Sequence, residues 1–150
     1  AGEQWEFFKA QESPLYDGRI PYRFQCLLGR IRLARGDAGG AVGIFREALT
    51  LKADRGYAEA HFGLGRALHR SGDPRAALGQ YRAVEEELAS NFEFYFRRAQ
   101  AAADAGDAAE LTRAREGFRT TARVLPAFAG RRRLRWRLAF LLFPVTRYFI

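Results

Sequence analysis

Residues 58–84 read AEAHFGLGRALHRSGDPRAALGQYRAV, and from this pattern the architecture of the chain can be predicted. Apolar and small residues recur at steps of three and four on both sides of Gly72-Asp73, which is the spacing of amphipathic helices. Glycine can take the left-handed conformation that ends a helix, and aspartate can accept the free N–H groups that begin the next one. Pro74 suits a first helical position. The stretch therefore predicts two helices joined by a tight turn.

The same pattern occurs once before and once after this stretch. Leu64-Gly65-Arg66 repeats Leu28-Gly29-Arg30, and the Gly-Asp pair recurs with its glycine at positions 36, 72 and 106. Self-similarity at a fixed period is typical of repeat proteins. Three helical hairpins are predicted, at residues 22–55, 58–89 and 92–126. The third needs three additional residues after its glycine, so we expect its second helix to be about one turn longer.

The three copies resemble the tetratricopeptide repeat, a helical hairpin of about 34 residues. In the second copy His61 takes the large-residue position, Leu64-Gly65 the Leu-Gly position, Ala77 the alanine position and Tyr81 the aromatic position, which Phe45 and Phe118 take in the other copies. The resemblance implies an all-α protein, an α-solenoid of about three hairpins with flanking N- and C-terminal helices. Residues 1–21 then form an N-terminal helix and loop, and residues 127–150 form a basic amphipathic C-terminal helix and tail.

The resemblance also implies a concave groove that is lined by the first helix of each hairpin. Carried over position by position, its expected partner-binding residues are Arg23, Arg30, Phe62, Arg66, His69, Arg70, Phe96, Arg97 and Gln100. Other groove positions hold Cys26, Leu33, Glu59, Glu93 and Asp104.

Arginines with aromatic rings between them suit the carboxylates and apolar anchors of a peptide, so the expected partner is a peptide segment of another protein, acidic or C-terminal. Family members that clamp a C-terminal carboxylate use lysines and asparagines at these positions, and this chain has neither residue there. The ligand class therefore stays open. In the alternative interpretation the arginines only solvate an exposed face.

Composition and charge point to a single, non-catalytic unit. The chain has 150 residues, and its 25 basic side chains exceed its 17 acidic ones. Its single cysteine, Cys26, excludes an intramolecular disulfide, and we expect it to be a buried apolar residue rather than a nucleophile. The two histidines, His61 and His69, lie too far apart on one helix to share a metal ion at the usual helical spacing. We predict neither enzymatic activity nor a cofactor or metal site.

The C-terminal segment carries the charge excess, with six arginines and no acidic residue in residues 127–150. Its expected docking residues for a membrane or partner are Arg131, Arg132, Arg133, Arg135, Trp136, Arg137, Phe140 and Phe143. In one interpretation the segment caps the last hairpin. In a second it lies on an anionic membrane surface or docks on a membrane-embedded partner. A third and weaker interpretation is contact with nucleic acid.

Together these features predict a non-catalytic adaptor or scaffold that binds a protein partner through its groove. Its C-terminal helix would dock on a membrane surface or a membrane complex. One alternative is a purely structural assembly subunit without a peptide ligand. A second and weaker alternative is a nucleic-acid-binding accessory protein. The preference for arginine over lysine is typical of GC-rich bacterial coding. We expect a cytoplasmic protein that can associate peripherally with the inner membrane.

Overall fold

The computed structural model describes residues 19–51, residues 57–124 and the single residues Leu134, Leu138, Ala139 and Leu142. Residues 19–124 form consecutive helical hairpins within these ranges. The helices are α1 (Arg19–Ala34), α2 (Ala38–Thr50), α3 (Tyr57–Arg70), α4 (Pro74–Arg82), α5 (Phe92–Ala105) and α6 (Ala108–Val124). Each helix packs against the next one along the chain. The first helices of the hairpins also meet, because α1 contacts α3 and α3 contacts α5.

The three Gly-Asp turns have one common geometry, as predicted. Gly36, Gly72 and Gly106 have positive φ angles of 84°, 91° and 71°, in the left-handed region where glycine carries no steric penalty. The aspartate that follows each glycine accepts a hydrogen bond from the backbone N–H three residues further on, at 2.8, 2.9 and 3.0 Å. In the first turn, the N–H of Gly40 and the guanidinium of Arg32 hold the pKa of the Asp37 carboxyl below its ordinary value. Each turn thus ends one helix and caps the next.

The second helices differ in length, and the third is the longest. Helix α2 has 13 residues, α4 has 9 and α6 has 17, which confirms the longer second helix that the additional residues predict. The hydroxyl of Thr121 in α6 donates to the carbonyl of Ala89 at 2.7 Å, so the end of α6 is tied to the turns that follow α4.

The beginning of the described chain differs from the prediction. Helix α1 starts at Arg19, so residues 19–21 are helical rather than part of a loop. Proline is tolerated in the first turn of a helix because its missing N–H has no partner there, and Pro21 stands in that turn. The helix expected before residue 19 lies outside the described residues.

Aromatic rings fill the spaces where helices approach closely at glycines. A methyl group added to Gly29 would lie 2.6 Å from the tip of the Phe45 ring, and one added to Gly63 would also overlap that ring. Phe45 therefore fits between α1 and α3 only because both helices carry glycine there. A methyl group added to Gly65 would lie 2.5 Å from the ring of Tyr81 in the same way. In each of the first two hairpins a glycine of the first helix thus lies against the aromatic ring of the second helix.

A buried network of charges joins the second and third hairpins. Arg98, at the position that leucine takes in the other two hairpins, is only 1% exposed. Its Nη2 lies 2.8 Å from Oε2 of Glu110, which is also 1% exposed, and its Nη1 lies 2.7 Å from Oε1 of Glu85. The other carboxylate oxygen of Glu110 accepts from Nε of Arg82 at 3.0 Å and from Nη1 of Arg113 at 3.1 Å.

The arginines of this network keep Glu110 charged. Burial acts to raise the pKa of Glu110, but the hydrogen bonds and charges of Arg98 and Arg82 outweigh it and hold that pKa below its ordinary value. The carboxylate can therefore accept hydrogen bonds from both hairpins at neutral pH, and Glu110 links α4 to α5 and α6.

The C-terminal segment contacts the last hairpin at one described residue. Ala139 is buried in a small apolar cluster with Phe96 and Ala99 of α5 and Ala114 of α6. This contact favours the interpretation in which the segment covers the third hairpin.

Candidate partner-binding surface

The first helices of the hairpins, α1, α3 and α5, form one polar face, which we call the first-helix face. Two ion pairs cross it between equivalent positions of successive hairpins. Nη1 of Arg30 lies 3.5 Å from Oε1 of Glu59, and Nη1 of Arg66 lies 3.8 Å from Oε1 of Glu93. Each arginine thus meets a glutamate at the start of the next first helix.

A second set of contacts crosses the face near the other end of the same helices. Nη1 of Arg70 donates to the carbonyl of Leu33 at 3.0 Å, and Nε2 of His69 lies 2.7 Å from Oδ2 of Asp104. The predicted groove residues Arg30, Arg66, His69 and Arg70 therefore come together, and each also ties its own helix to the neighbouring one.

An aromatic residue lies beneath the arginines in the middle of the face. Phe62 is half-buried, and its ring centroid is 6.0 Å from that of Tyr81 and 6.2 Å from that of Phe94. The guanidinium carbon of Arg66 lies 5.8 Å from the Phe62 centroid, within the range of a cation–π contact.

Arg97 extends this cluster towards the interior. Its Nε lies 3.5 Å from Oε1 of Glu93, the oxygen that Arg66 also approaches, and its Nη1 donates to Oε1 of Gln100 at 3.1 Å. Burial lowers the pKa of Arg97, and the charge of Arg66 acts in the same direction. Two guanidinium groups therefore share one carboxylate.

Tyr81 adds a polar group that the sequence did not single out as functional. The side chain is fully buried, and no described residue accepts or donates a hydrogen bond at its hydroxyl. Burial raises the pKa of Tyr81, while the charges of Arg97 and Arg66 lower it and that of Glu93 raises it. The hydroxyl thus lies within electrostatic range of the arginine cluster. A tyrosine at an aromatic repeat position is the one signal that could have indicated it.

Not every residue predicted for the groove is available to a partner. Phe96 is fully buried because it packs against Ala99, Ala114 and Ala139, and Gln100 is buried beside Arg97. Their expected role as lining residues is wrong, since neither side chain reaches solvent. Arg23 is exposed at the start of α1.

Cys26 is fully buried, as its apolar interpretation predicts, and burial raises the pKa of its thiol to about 11. Its expected place as a lining residue is wrong for the same reason as for Phe96.

The predicted docking residues of the C-terminal segment, Arg131, Arg132, Arg133, Arg135, Trp136, Arg137, Phe140 and Phe143, lie outside the described residues. The described leucines of that segment, Leu134, Leu138 and Leu142, are 58%, 48% and 51% exposed. They are spaced four residues apart in the sequence, and the N–H of Leu142 donates to the carbonyl of Leu138 at 2.9 Å.

Two further features are absent from the described ranges. No group of three His, Cys, Asp or Glu side chains is arranged to hold a metal ion there. None of the helices described is long and apolar enough to cross a membrane.

No protein-family model matches the chain, and no curated protein is similar enough to be matched to it.

Proposed function

We propose that the protein is a tetratricopeptide-type adaptor, an α-solenoid whose first-helix face binds a peptide segment of a partner protein. The observation that carries the proposal is the set of cross-helix contacts of Arg30, Arg66, His69 and Arg70, which brings residues from three hairpins onto one surface. A peptide laid along that surface would touch all three hairpins at once.

Charge complementarity favours an acidic peptide. Arg23, Arg30, Arg66, Arg70 and Arg97 outnumber the acidic residues of the face, Glu59, Glu93 and Asp104. The ion pairs at 3.5 and 3.8 Å are longer than an optimal charge-assisted hydrogen bond, so the arginines can exchange an internal carboxylate for one from a ligand at small cost. Phe62 offers an apolar contact beside them.

The proposal is tested by probing an array of short acidic and neutral peptides with the full-length chain. We expect acidic peptides to bind and the double variant Arg66→Gln/Arg70→Gln to lose about tenfold in affinity, because it removes the charges in the middle of the face. The matched control is Arg46→Gln/Arg119→Gln, which removes the same net charge from exposed positions of second helices. Equal losses in the two variants would mean that binding is non-specific, and an array without signal would favour the structural-subunit alternative.

A second function rests on a different observation, the exposed row of Leu134, Leu138 and Leu142. Exposed leucines beside five arginines in residues 131–137 match the composition of a helix that lies in the interface of an anionic membrane. We propose that this segment docks the adaptor at such a surface while Ala139 holds it against the third hairpin.

Flotation of the full-length chain with vesicles tests this docking. We expect the protein to float with anionic phosphatidylserine vesicles and to stay behind with neutral phosphatidylcholine vesicles. The variant Leu134→Ser/Leu138→Ser is expected to reduce the bound fraction about tenfold, because two apolar side chains no longer enter the membrane. The control Leu27→Ser/Ile31→Ser alters exposed apolar residues of α1 and should float like the parent. Flotation that does not change in the first variant would contradict the proposal.

A further inference from the structure

We propose that the N-terminal segment, residues 1–18, docks on an exposed apolar strip of α1. We call this strip the α1 outer face, and it consists of three apolar residues with an arginine at either end: Phe24, Leu27, Ile31, Arg23 and Arg35. Its apolar residues are not among the positions expected to line the groove. The contact is therefore separate from the binding of a peptide on the first-helix face.

The apolar residues of the α1 outer face are exposed, although their counterparts in the next hairpin are buried. Phe24, Leu27 and Ile31 are 47%, 49% and 39% exposed. The alignment of Leu28-Gly29 with Leu64-Gly65 gives their equivalents in α3, and all three of these are buried: Ala60, Gly63 and Ala67. The first hairpin thus presents larger apolar side chains than the second one at these positions, and presents them to solvent.

In the inner hairpins this face is covered by the second helix of the preceding hairpin. Gly63 of α3 lies against the ring of Phe45 from α2. Phe94 of α5, the equivalent of Phe24, has its ring centroid 6.0 Å from that of Tyr81 in α4. Helix α1 begins with the first described residue, so no described helix precedes it to take the same place. The occupant of the α1 outer face has to come from elsewhere.

Charge decides which kind of occupant fits the face. Arg23 stands four residues before Leu27, and Arg35 stands four residues after Ile31, and both arginines are exposed. Helix α1 has four arginines and no acidic residue. A fitting occupant is therefore apolar in its middle and acidic towards its ends.

Neither exposed apolar surface of a second copy meets this requirement. A second α1 outer face would bring arginines against arginines. The exposed row of Leu134, Leu138 and Leu142 lies in a segment that has five arginines and no acidic residue in residues 131–137. Like charges that face each other oppose association, so charge disfavours self-association of the chain through either surface.

The N-terminal segment has the required pattern. Trp5, Phe7 and Phe8 lie between Glu3 and Glu12 in the sequence. The whole segment contains four acidic residues and one lysine. Its aromatic residues can bury apolar area on Leu27 and Ile31, while its carboxylates approach the arginines at the two ends.

The chain between the aromatic residues and α1 is long enough for this contact. Residues 13–18 can span about 20 Å when extended. Leu27 and Ile31 lie about 12 and 18 Å along α1 from Arg19. The segment can therefore turn back at the start of α1 and lie along the same helix to which it is joined. Because it is joined there, it meets the face at a high effective concentration.

Fluorescence of Trp5 in the full chain tests the docking. The chain has two tryptophans, so the background variant Trp136→Phe leaves Trp5 as the only reporter. We expect Trp5 to be shielded from quenching by acrylamide. Adding Leu27→Ser/Ile31→Ser should raise the quenching constant about threefold, because the apolar contact is lost. Circular dichroism checks that this variant keeps the helical content of the background.

The charge contribution has its own variant and control. Arg23→Gln/Arg35→Gln should raise the quenching constant about twofold, since the carboxylates of the segment lose their partners. Arg46→Gln/Arg119→Gln removes the same net charge from exposed positions of second helices and should leave the quenching unchanged. The matched control for the apolar variant is Leu134→Ser/Leu138→Ser, which alters exposed leucines at the other end of the chain.

A reciprocal measurement does not depend on the folding of any α1 variant. Trp5→Ala/Phe8→Ala should shift the backbone amide NMR signals of Leu27 and Ile31 and leave that of the equivalent Ala67 in place. Three results would overturn the proposal: quenching of Trp5 equal to that of N-acetyltryptophanamide, no increase in Leu27→Ser/Ile31→Ser, or shielding that disappears on dilution. The last result would assign the contact to the N-terminal segment of a second copy.

Discussion

Replacing Glu110 by alanine is expected to lower the free energy of unfolding by about 3 kcal/mol, because it leaves buried Arg98 without its main counter-charge. Arg98 is 1% exposed and makes two of its contacts with that carboxylate, so water cannot replace what is lost. Arg82 loses a partner at the same time, so the polar contacts that Glu110 makes between the second and third hairpins are lost while the ion pair of Arg98 with Glu85 remains. Urea denaturation followed by circular dichroism measures the change.

The second hairpin supplies the matched control. It carries Leu64 and Ala76 at the positions of Arg98 and Glu110. The double variant Arg98→Leu/Glu110→Ala therefore gives the third hairpin the same apolar residues that the second hairpin has at these two positions. We expect it to recover most of the loss, since replacing a buried ion pair by apolar residues is often neutral. A double variant as unstable as Glu110→Ala alone would mean that the uncompensated charge of Arg98 is not the cause.

The stability that Glu110 contributes depends on pH in a definite direction. The folded-state pKa of Glu110 is held below its ordinary value, so this carboxylate contributes stability above the unfolded-state pKa of about 4.3. That contribution is lost as the pH falls from there through the folded-state pKa. The parent should therefore lose its advantage over Glu110→Ala in that acidic range.

Replacing Phe45 by alanine is expected to cost about 4 kcal/mol of unfolding free energy, because it opens a cavity between the first two hairpins. The Phe45 ring is fully buried and lies against Gly29 in α1 and Gly63 in α3. Neither glycine has a side chain that could move into the space. Urea denaturation measures this loss as well.

The contact between Phe45 and Gly63 is tested by introducing Gly63→Ala into the parent chain and into the Phe45→Ala variant. In the parent the new methyl group overlaps the Phe45 ring and should destabilise, whereas in Phe45→Ala it fills part of the cavity and should stabilise. A coupling of about 1–3 kcal/mol between the two positions is expected. As an exposure control, Ile31→Ala at a 39% exposed position should cost only about 1 kcal/mol. Additive effects of the substitutions at 45 and 63 would contradict this packing.

Local features of the hairpins could be predicted because they depend on residues close in sequence. Glycine at positions 36, 72 and 106 followed by aspartate specifies a left-handed residue and a helix cap, and the structure has both at each turn. The additional residues after Gly106 predicted the longer α6 for the same local reason. The groove positions Arg30, Arg66, His69 and Arg70 came from the resemblance, which orders side chains around each first helix.

Other features were decided only where helices meet. Phe96 and Gln100 share the predicted face of α5 but are buried, Phe96 in a cluster that includes Ala139 and Gln100 as the acceptor of a hydrogen bond from Arg97. Helical periodicity assigns a residue to a side of its own helix and says nothing about which neighbour will cover that side.

By itself, the sequence determined the hairpins and their turns, since each depends on backbone conformation and on residues that are close in sequence. Only the tertiary structure placed Arg98 and Glu110 together in the interior and brought Glu93 between Arg66 and Arg97. The physical reason is that burial of a charge is stable only when a partner on another helix lies within hydrogen-bonding distance, and that partner is defined by packing between hairpins.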